Sequence, residues 1–338
     1  MENEIVIQAR DLCIGYQSGK RITRIHEHLL FNLHAGELTC LLGANGSGKS
    51  TLLRTLSGSQ PALSGQLWLK GKPLADYSEK ERSRMVGIVL TDKTQAGGLT
   101  VYELVALGRQ PHTGFFGRLH THDHAIIQQA LQDVGIAHKA ACYTAELSDG
   151  ERQKVMIAKA LVQECPLILL DEPTAFLDVV SRMEIMMLLH RLATEQHKAI
   201  LVSTHDIEQA LILADKLWLM STNHGLTYGV TEDVVLHHHM DHLFEQANIR
   251  FDTLQGTYNP LLQGKDDIFV EAADNILLHW SINSLTRAGF VCHTHPEPNS
   301  YPLTLKANTP NELYIQTAES TVRFNSFAAL QVHLRKIK

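Results

Sequence analysis

The sequence has few cysteines and no excess of basic charge. Its 5 cysteines among 338 residues are widely scattered with no Cys-x-x-Cys pair, which argues against a disulfide framework or a zinc site. The formal net charge is −6, so the composition provides no general nucleic-acid surface, and we expect no nucleic-acid partner. With 44% hydrophobic and 20% charged residues, the chain has the composition of a globular protein with a buried core.

Long apolar segments are also absent from the sequence. No apolar run reaches the ~18 residues that a membrane-spanning helix needs, and the acidic start, Met-Glu-Asn-Glu, lacks the basic and apolar regions of a signal peptide. These absences predict a cytoplasmic chain. At about 150 residues per domain, a length of 338 residues predicts two domains.

One glycine-rich stretch fits the pattern of a phosphate-binding loop. Residues 43–51 read Gly-Ala-Asn-Gly-Ser-Gly-Lys-Ser-Thr, between an apolar run that predicts a strand and a run that predicts a helix. Glycines allow positive φ, so backbone N–H groups can surround an anion, and the helix N-terminus adds partial positive charge. The alternative interpretation is a glycine-rich turn with one exposed lysine, but such a turn would not require a predicted strand before it and a predicted helix after it. The candidate nucleotide-binding residues of this loop are Gly43, Asn45, Gly46, Gly48, Lys49, Ser50 and Thr51.

Two carboxylates and a histidine follow two further apolar runs. Residues 167–170 and 199–203 are unbroken apolar or small runs that predict parallel strands buried on both faces. Open α/β sheets bind ligands at the carboxyl ends of such strands. Asp171 could therefore hold Mg²⁺ and Glu172 could act on an attacking water, although a surface Asp-Glu turn is the simpler alternative. His205 follows the second strand and would lie beside the same phosphates.

Two other features have more than one interpretation. Tyr16 follows an alternating strand pattern and could be a platform for a nucleotide base or a half-buried strand residue. In the segment Leu147-Ser148-Asp149-Gly150-Glu151, Ser148 with Glu151 three residues later forms a capping box for the apolar-periodic helix that follows. That capping role alone would explain the segment.

In this order, the motifs resemble those of the ATP-binding cassette (ABC) ATPases over residues 5–251. The resemblance implies an α/β P-loop NTPase fold with a helical subdomain that binds ATP and Mg²⁺. It implies that Tyr16 stacks on adenine and that residues 43–51 are the Walker A loop, in which Lys49 reaches the phosphates. Ser50 and Asp171 would be the magnesium ligands.

The same resemblance assigns the remaining site residues. Glu172 would be the general base at the end of the Walker B strand, and His205 would be the switch histidine at the γ-phosphate. Residues 175–178 would be the D-loop, which ends at Asp178. Two cassettes of this family dimerise head to tail, so Ser148 and Gly150 of one subunit would close over ATP bound to the other.

A narrower likeness concerns residues 104–112 and 150–154. Both stretches are similar to cassettes of bacterial importers for iron-siderophore, haem and cobalamin complexes. This similarity implies transmembrane permease subunits, a substrate-binding protein acting through them, and a peripheral position on the inner face of the cell membrane. The segment from Gly108 to Gly117, rich in turns and aromatic residues, suggests a partner surface. The alternative is a soluble cassette ATPase acting in cofactor assembly or on nucleic acid or ribosomes.

The sequence departs from the family pattern at two places. Thr91 stands where the family has its Q-loop glutamine, and we expect Gln95 or a water to substitute for it. Asp149 and Glu151 stand where the family most often has Gly and Gln. Because carboxylates facing the γ-phosphate would repel it, we expect these two side chains to point away from the nucleotide.

The predicted domain organisation has three parts. Residues 1–255 form the cassette with a helical subdomain at about 92–165, residues 256–267 form a linker, and residues 268–338 form a small α+β module. We recognise no catalytic or binding motif in this module. Its possible roles are a dimer or scaffold surface, a regulatory domain and a ligand-sensing domain. The histidines of the stretch 237–242 have no fixed acidic or thiol ligands around them, which leaves a metal site there undetermined.

Overall fold

The computed structural model of the chain describes residues 4–90, 98–114, 117–244, 248–261, 264–295 and 301–337. The chain divides into two compact units, Met1–Glu245 with Phe251–Thr257 and Gln246–Arg250 with Tyr258–Lys338. Within the described residues, no helix is both long enough and apolar enough to span a membrane.

The first unit contains both strands and helices. Its strands are β1 (Ile5–Ser18), β2 (Arg21–His34), β3 (Leu38–Leu42), β4 (Ser64–Leu69), β5 (Lys72–Pro73), β6 (Val86–Val89), β7 (Leu167–Asp171), β8 (Ala199–Ser203), β9 (Lys216–Ser221) and β10 (Gly225–Val230). Its helices are α1 (Lys49–Leu56), α2 (Glu79–Ser83), α3 (Val101–Ala106), α4 (Thr121–Asp133), α5 (Asp149–Leu161), α6 (Val179–Gln196), α7 (Ile207–Leu213) and α8 (Thr231–Leu236).

The main sheet of this unit has the strand order β10-β9-β3-β8-β7-β6. The strand pairs β3–β8, β7–β8, β6–β7 and β3–β9 are parallel, and β10 pairs with β9 in the antiparallel direction. The apolar runs predicted as two-sided buried strands are the central strands, and every residue of β3 and β8 is buried. Because β8 lies between β3 and β7, the carboxyl ends of these three strands are neighbours.

A second sheet, of order β2-β1-β4-β5, shares its core with the main sheet. β1 pairs with both β2 and β4 in antiparallel register. Phe31 of β2 packs on Trp218 of β9 with ring centroids 4.5 Å apart. Burial of a large apolar side chain contributes roughly 1.5–3 kcal/mol, so this shared core fixes β2 against the strand next to β3.

The helical subdomain contains α3, α4 and α5, which pack on one another. In the segment beginning at Gly108, for which the sequence suggests a partner surface, a 3-10 turn over Leu107–His112 buries Gly108 and Arg109, whereas Gln110 and Gly114 are exposed. Residues 115–116 lie outside the described residues, so the partner surface stays a prediction. A Cβ at Gly108 would lie 2.2 Å from the backbone oxygen of Lys159, so only glycine allows this approach. Arg109 is 3% exposed and forms an ion pair with Asp123.

The second unit is an α+β module. Strands β11 (Ile249–Asp252) and β12 (Thr257–Pro260) pair with each other. The module continues with β13 (Asp266–Ala272), α9 (Asn275–Arg287), β14 (Phe290–His293), β15 (Leu303–Thr309), β16 (Glu312–Gln316), β17 (Thr321–Phe324) and α10 (Phe327–Ile337). Its sheet has the order β14-β13-β15-β16-β17 and its own apolar core. The stretch 256–267, predicted as a linker, contains β12 and the first residues of β13.

Candidate nucleotide-binding site

The loop between β3 and α1 has the backbone shape of an anion cradle. Gly46 and Gly48 have φ of +79° and +104°, a region that L side chains rarely adopt. A Cβ at Gly43 would lie 2.5 Å from the backbone oxygen of Met220. These positions therefore require glycine for conformation or for space, and the loop leads directly into the N-terminus of α1, where backbone N–H groups have no partner within the helix.

Lys49 is the first residue of α1, and its side chain is held by the loop itself. Its Nζ donates hydrogen bonds to the carbonyl oxygens of Gly43 at 2.7 Å and Ala44 at 3.2 Å. Burial lowers the pKa of Lys49, while the nearby carboxylates of Glu172 and Asp171 act in the opposite direction. The same two carboxylates thus help to keep the ammonium group charged at the loop.

Ser203, at the end of β8, organises the two carboxylates that follow β7. Its hydroxyl donates to Asp171 Oδ1 at 2.5 Å, and the backbone N–H of Glu172 donates to Ser203 O and to Ser203 Oγ, both at 3.0 Å. Glu172 has φ of +49°, which is uncommon for a residue with a side chain. The sequence does not mark Ser203 as a site residue, and its only signal there is its position directly before the Thr-His-Asp segment.

Glu172 and His205, which the sequence predicts as the general base and the switch histidine, are in contact. Glu172 Oε1 lies 2.6 Å from His205 Nε2. Both side chains are partly exposed, so solvent reaches the pair. The neighbouring carboxyl ends of β7 and β8 bring together these two residues, which stand 33 positions apart in the sequence.

The oxygen donors near the loop fit a magnesium ion. Ser50 offers an exposed hydroxyl on the first turn of α1, and Asp171 offers a carboxylate at the end of β7. In the described part of the chain, no cluster of three or more His, Cys, Asp or Glu side chains could hold a metal by itself, and this includes the histidines of 237–242. Magnesium typically takes one or two protein oxygens together with substrate phosphates and water, which matches this small donor set.

Tyr16 lies at the edge of the loop. Its ring is partly exposed, and its hydroxyl is 2.6 Å from Thr51 Oγ1 on the first turn of α1. This bond joins β1 to the phosphate-loop helix, and Tyr16 stays 43% exposed.

Truncating Tyr16 tests its role as a base platform. Stacking of a base on an aromatic ring contributes about 1–3 kcal/mol, so Tyr16→Ala should raise the ATP dissociation constant about tenfold. Tyr16→Phe keeps the ring and loses only the bond to Thr51, so we expect a change below about threefold. Nucleotide titration measures both, with Tyr143→Ala as a matched control on an exposed tyrosine of the helical subdomain. Equal losses for the Ala and Phe variants would reject stacking.

The segment around Ser148 begins α5 with a complete capping box. The Glu151 N–H donates to Ser148 Oγ at 3.3 Å, and the Ser148 N–H donates to Glu151 Oε2 at 3.0 Å. Glu151 also pairs with Lys139 at 2.5 Å, and the hydrogen bond from Lys139 lowers the pKa of Glu151 to about 2. Asp149 pairs with Arg152 at 2.8 Å. Both carboxylates are therefore held by cations of the same chain.

These pairings give a prediction for the two acidic residues. The double change Asp149→Gly with Glu151→Gln should alter the ATP dissociation constant by less than about twofold, because each carboxylate has its partner within the chain. Fluorescence titration with ATP measures the affinity. A tenfold gain in affinity in the double variant would contradict this arrangement.

The pair of Glu151 with Lys139 also has a defined pH dependence. The pKa of Glu151 is depressed, so the pair stabilises α5 above the unfolded pKa of ~4.3 and loses that effect as the pH falls towards 2.

The end of the D-loop is also a helix cap. Asp178 Oδ1 accepts a hydrogen bond from the Ser181 N–H at 2.8 Å, and this bond lowers the pKa of Asp178. Phe176, two residues before Asp178, has φ of +65° and is 80% exposed. The Gly150 Cα faces Ser181, so a Cβ there would lie 3.1 Å from Ser181 Oγ. Gly150 and the start of α6 are therefore neighbours.

Other residues of the site fall outside the sequence prediction or outside the described structure. Thr91 and Gln95 lie outside the described residues, so their roles remain predictions. No sequence motif marks His26 of β2 as a site residue. In the structure it is buried, and its Nε2 lies 2.6 Å from the Ser47 carbonyl oxygen of the phosphate loop.

The mainly parallel sheet with a glycine loop between β3 and α1 defines a P-loop nucleoside triphosphatase fold. The sequence profile of the ABC transporter family matches residues 26–175. An ABC transporter ATP-binding protein of Methanocaldococcus jannaschii, itself uncharacterised, is 36% identical over 269 residues, which are 78% of this chain and 91% of the relative. The chain belongs to the ABC transporter ATP-binding proteins and is an ATPase of that family, as the sequence predicted.

Two further relatives are named for transport. The ferric enterobactin transport ATP-binding protein FepC of Escherichia coli is 36% identical over 68% of this chain and 83% of its own length. The iron(3+)-hydroxamate import ATP-binding protein FhuC of Bacillus subtilis is 42% identical over 60% of this chain and 74% of its own length. The dimeric structure of the bacterial ABC transporter cassette MJ0796 has a TM-score of 0.58 and 25% identity, and covers 67% of this chain and 98% of the cassette.

Proposed function

We propose that this chain is the ATP-hydrolysing subunit of a membrane ABC importer that takes up a metal-chelate substrate of the iron-siderophore, haem or cobalamin class. The proposed substrate class is supported by sequence identities of 36% and 42% to two ATP-binding proteins named for iron-siderophore uptake. The Gly-Arg-Gln-Pro-His segment after α3 supports the same subgroup by its resemblance.

Hydrolysis would rely on positioning and charge stabilisation. Lys49 and the N–H groups of the phosphate loop would bind the phosphates, and Tyr16 would stack on adenine. Ser50 and Asp171 would hold Mg²⁺, which neutralises phosphate charge when bound. Glu172 would orient and deprotonate the attacking water. His205, which pairs with Glu172 at 2.6 Å, would exchange this contact for the γ-phosphate.

The working unit would be a homodimer. Phe176, Val179 and Val180 form an exposed apolar patch beside Asp178, with side chains 80%, 71% and 68% exposed. Exposed apolar patches typically mark interaction surfaces. In the head-to-tail arrangement implied by the family, this patch and the Ser148 to Gly150 segment would meet the ATP site of the second subunit. Permease subunits and a substrate-binding protein would complete the importer on the inner face of the membrane.

A pull-down from native membranes tests the importer. The bait is the tagged chain carrying Glu172→Gln, incubated with ATP to hold the dimer closed and recovered from detergent-solubilised membranes. The native chain and a Lys49→Ala variant, which weakens ATP binding, are treated in the same way for comparison. Recovery of a polytopic permease in an ATP-dependent amount is the expected result. Recovery of only soluble proteins, ribosomes or nucleic acid would reject the importer and favour the soluble alternative.

A further inference from the structure

A buried histidine contacts the phosphate loop from β2. His26 is 5% exposed, and its Nε2 lies 2.6 Å from the carbonyl oxygen of Ser47. A carbonyl oxygen only accepts hydrogen bonds, so the ring nitrogen carries the proton. A Cβ at Gly48 would lie 2.7 Å from Ile25 Cγ2 and 3.2 Å from His26 Cδ2. Two consecutive residues of β2 therefore support the loop at the peptide that joins Ser47 to Gly48.

The geometry of this peptide makes the contact directional. A trans peptide is planar, and its C=O and N–H point in opposite directions. A donor fixed to the Ser47 oxygen therefore directs the Gly48 N–H to the side of the loop away from His26. Gly48 has φ of +104° and is the N-cap of α1, with no side-chain hydrogen bond at the cap. Because glycine loses the most conformational freedom on ordering, a loop of this kind benefits from an external constraint.

We infer that His26 is a positioning residue of the nucleotide site: its Nε2–H bond to the Ser47 carbonyl holds the Gly48 N–H in the direction needed to bind the phosphates of ATP. The hydrogen bond also polarises the peptide, which strengthens the N–H as a donor. The inference rests on ATP binding by this chain and not on the importer role. His26 itself lies behind the loop and does not take part in the reaction.

The test separates phosphate binding from packing. His26→Leu removes the donor at similar volume, and the loss of one hydrogen bond should raise the dissociation constants for ATP and for tripolyphosphate about 3- to 10-fold. Tripolyphosphate has no base, so its binding reports on the loop alone. Hydrolysis should show a raised KM with kcat within about twofold, because the N–H binds the ground state and the transition state alike. His26→Gln retains an N–H donor and should recover most of the affinity.

A control variant and a replacement variant complete the experiment. Leu29→Met changes a buried residue of the same strand and should leave tripolyphosphate binding at the native level. His26→Met replaces His26→Leu should the latter fail to fold, which thermal unfolding would report. Native affinity in the folded Leu or Met variant, or a Gln variant as weak as Leu, would overturn the inference. Absence of ATP binding by the native chain would instead reject the nucleotide site as a whole.

Discussion

Replacing Glu172 by glutamine is expected to lower the ATP hydrolysis rate by about 10²- to 10⁴-fold, the contribution of a positioned general base. Glutamine has the size of glutamate and can still accept a hydrogen bond from His205, which lies 2.6 Å from Glu172 Oε1. The backbone N–H of Glu172 keeps its bonds to Ser203. The change therefore removes the proton acceptor and its charge while leaving the fold and the ATP affinity nearly unchanged.

The measurement is steady-state phosphate release at saturating ATP, with thermal unfolding as a check on folding. Glu195→Gln is the matched control, because Glu195 is an exposed carboxylate on the last turn of α6. It should hydrolyse ATP at the native rate. The Glu172→Gln chain with ATP should also accumulate as a dimer in size-exclusion chromatography. A residual rate within fivefold of native would show that another group activates the water.

The parallel sheet was predictable because its central strands are short apolar runs buried on both faces. The runs that end in Asp171 and Ser203 stand out against polar flanks, and the glycine loop before Lys49 has a sequence pattern of its own. Each of these signals is local in the chain. The α/β assignment and the candidate site residues at the strand ends follow from them.

Ser203 and His26, which hold the site residues in place, were not predictable in the same way, because their partners are distant in sequence. The bond between Ser203 and Asp171 spans 32 positions, and the contact between His26 and Ser47 spans 21. A lone serine in a strand or a lone histidine among polar residues carries no local signal of such a contact. Their roles depend on strand order and on the register of β2, which only the folded chain defines.

Arg109 is another residue whose environment depends on partners distant in sequence, because it is a charged residue in a turn-rich segment and yet is buried. Its guanidinium donates to Asp123 Oδ1 from Nε at 2.9 Å, to Val162 O at 2.6 Å and to Glu164 Oε2 at 2.6 Å. Asp123 and Glu164 stand 14 and 55 positions away. The burial of an arginine side chain is possible only because several acceptors from different elements converge on it.

Replacing Arg109 by methionine should therefore destabilise the helical subdomain by about 3–5 kcal/mol, because Asp123 would remain buried without its cation. Denaturant unfolding followed by intrinsic fluorescence or circular dichroism measures the loss. The matched control is Arg191→Met, an exposed arginine of α6 that donates to the backbone oxygen of Asp133, for which we expect less than about 1 kcal/mol. Arg109→Met combined with Asp123→Leu should recover part of the stability, since both members of the buried pair are then apolar.

The pH dependence of this loss has a defined sign. The backbone N–H of His120 and the Arg109 guanidinium lower the pKa of Asp123 below its usual value, so in the native chain the carboxylate stays ionised and its stabilising effect is lost only as the pH falls below the unfolded value of ~3.9. Without Arg109 the buried carboxylate takes up a proton more readily, and protonation removes the uncompensated charge. The difference in unfolding free energy between the native chain and Arg109→Met should therefore be smaller at pH 4 than at pH 7. A difference that is equal at both pH values would assign the destabilisation to lost packing and hydrogen bonds and not to the charge of Asp123.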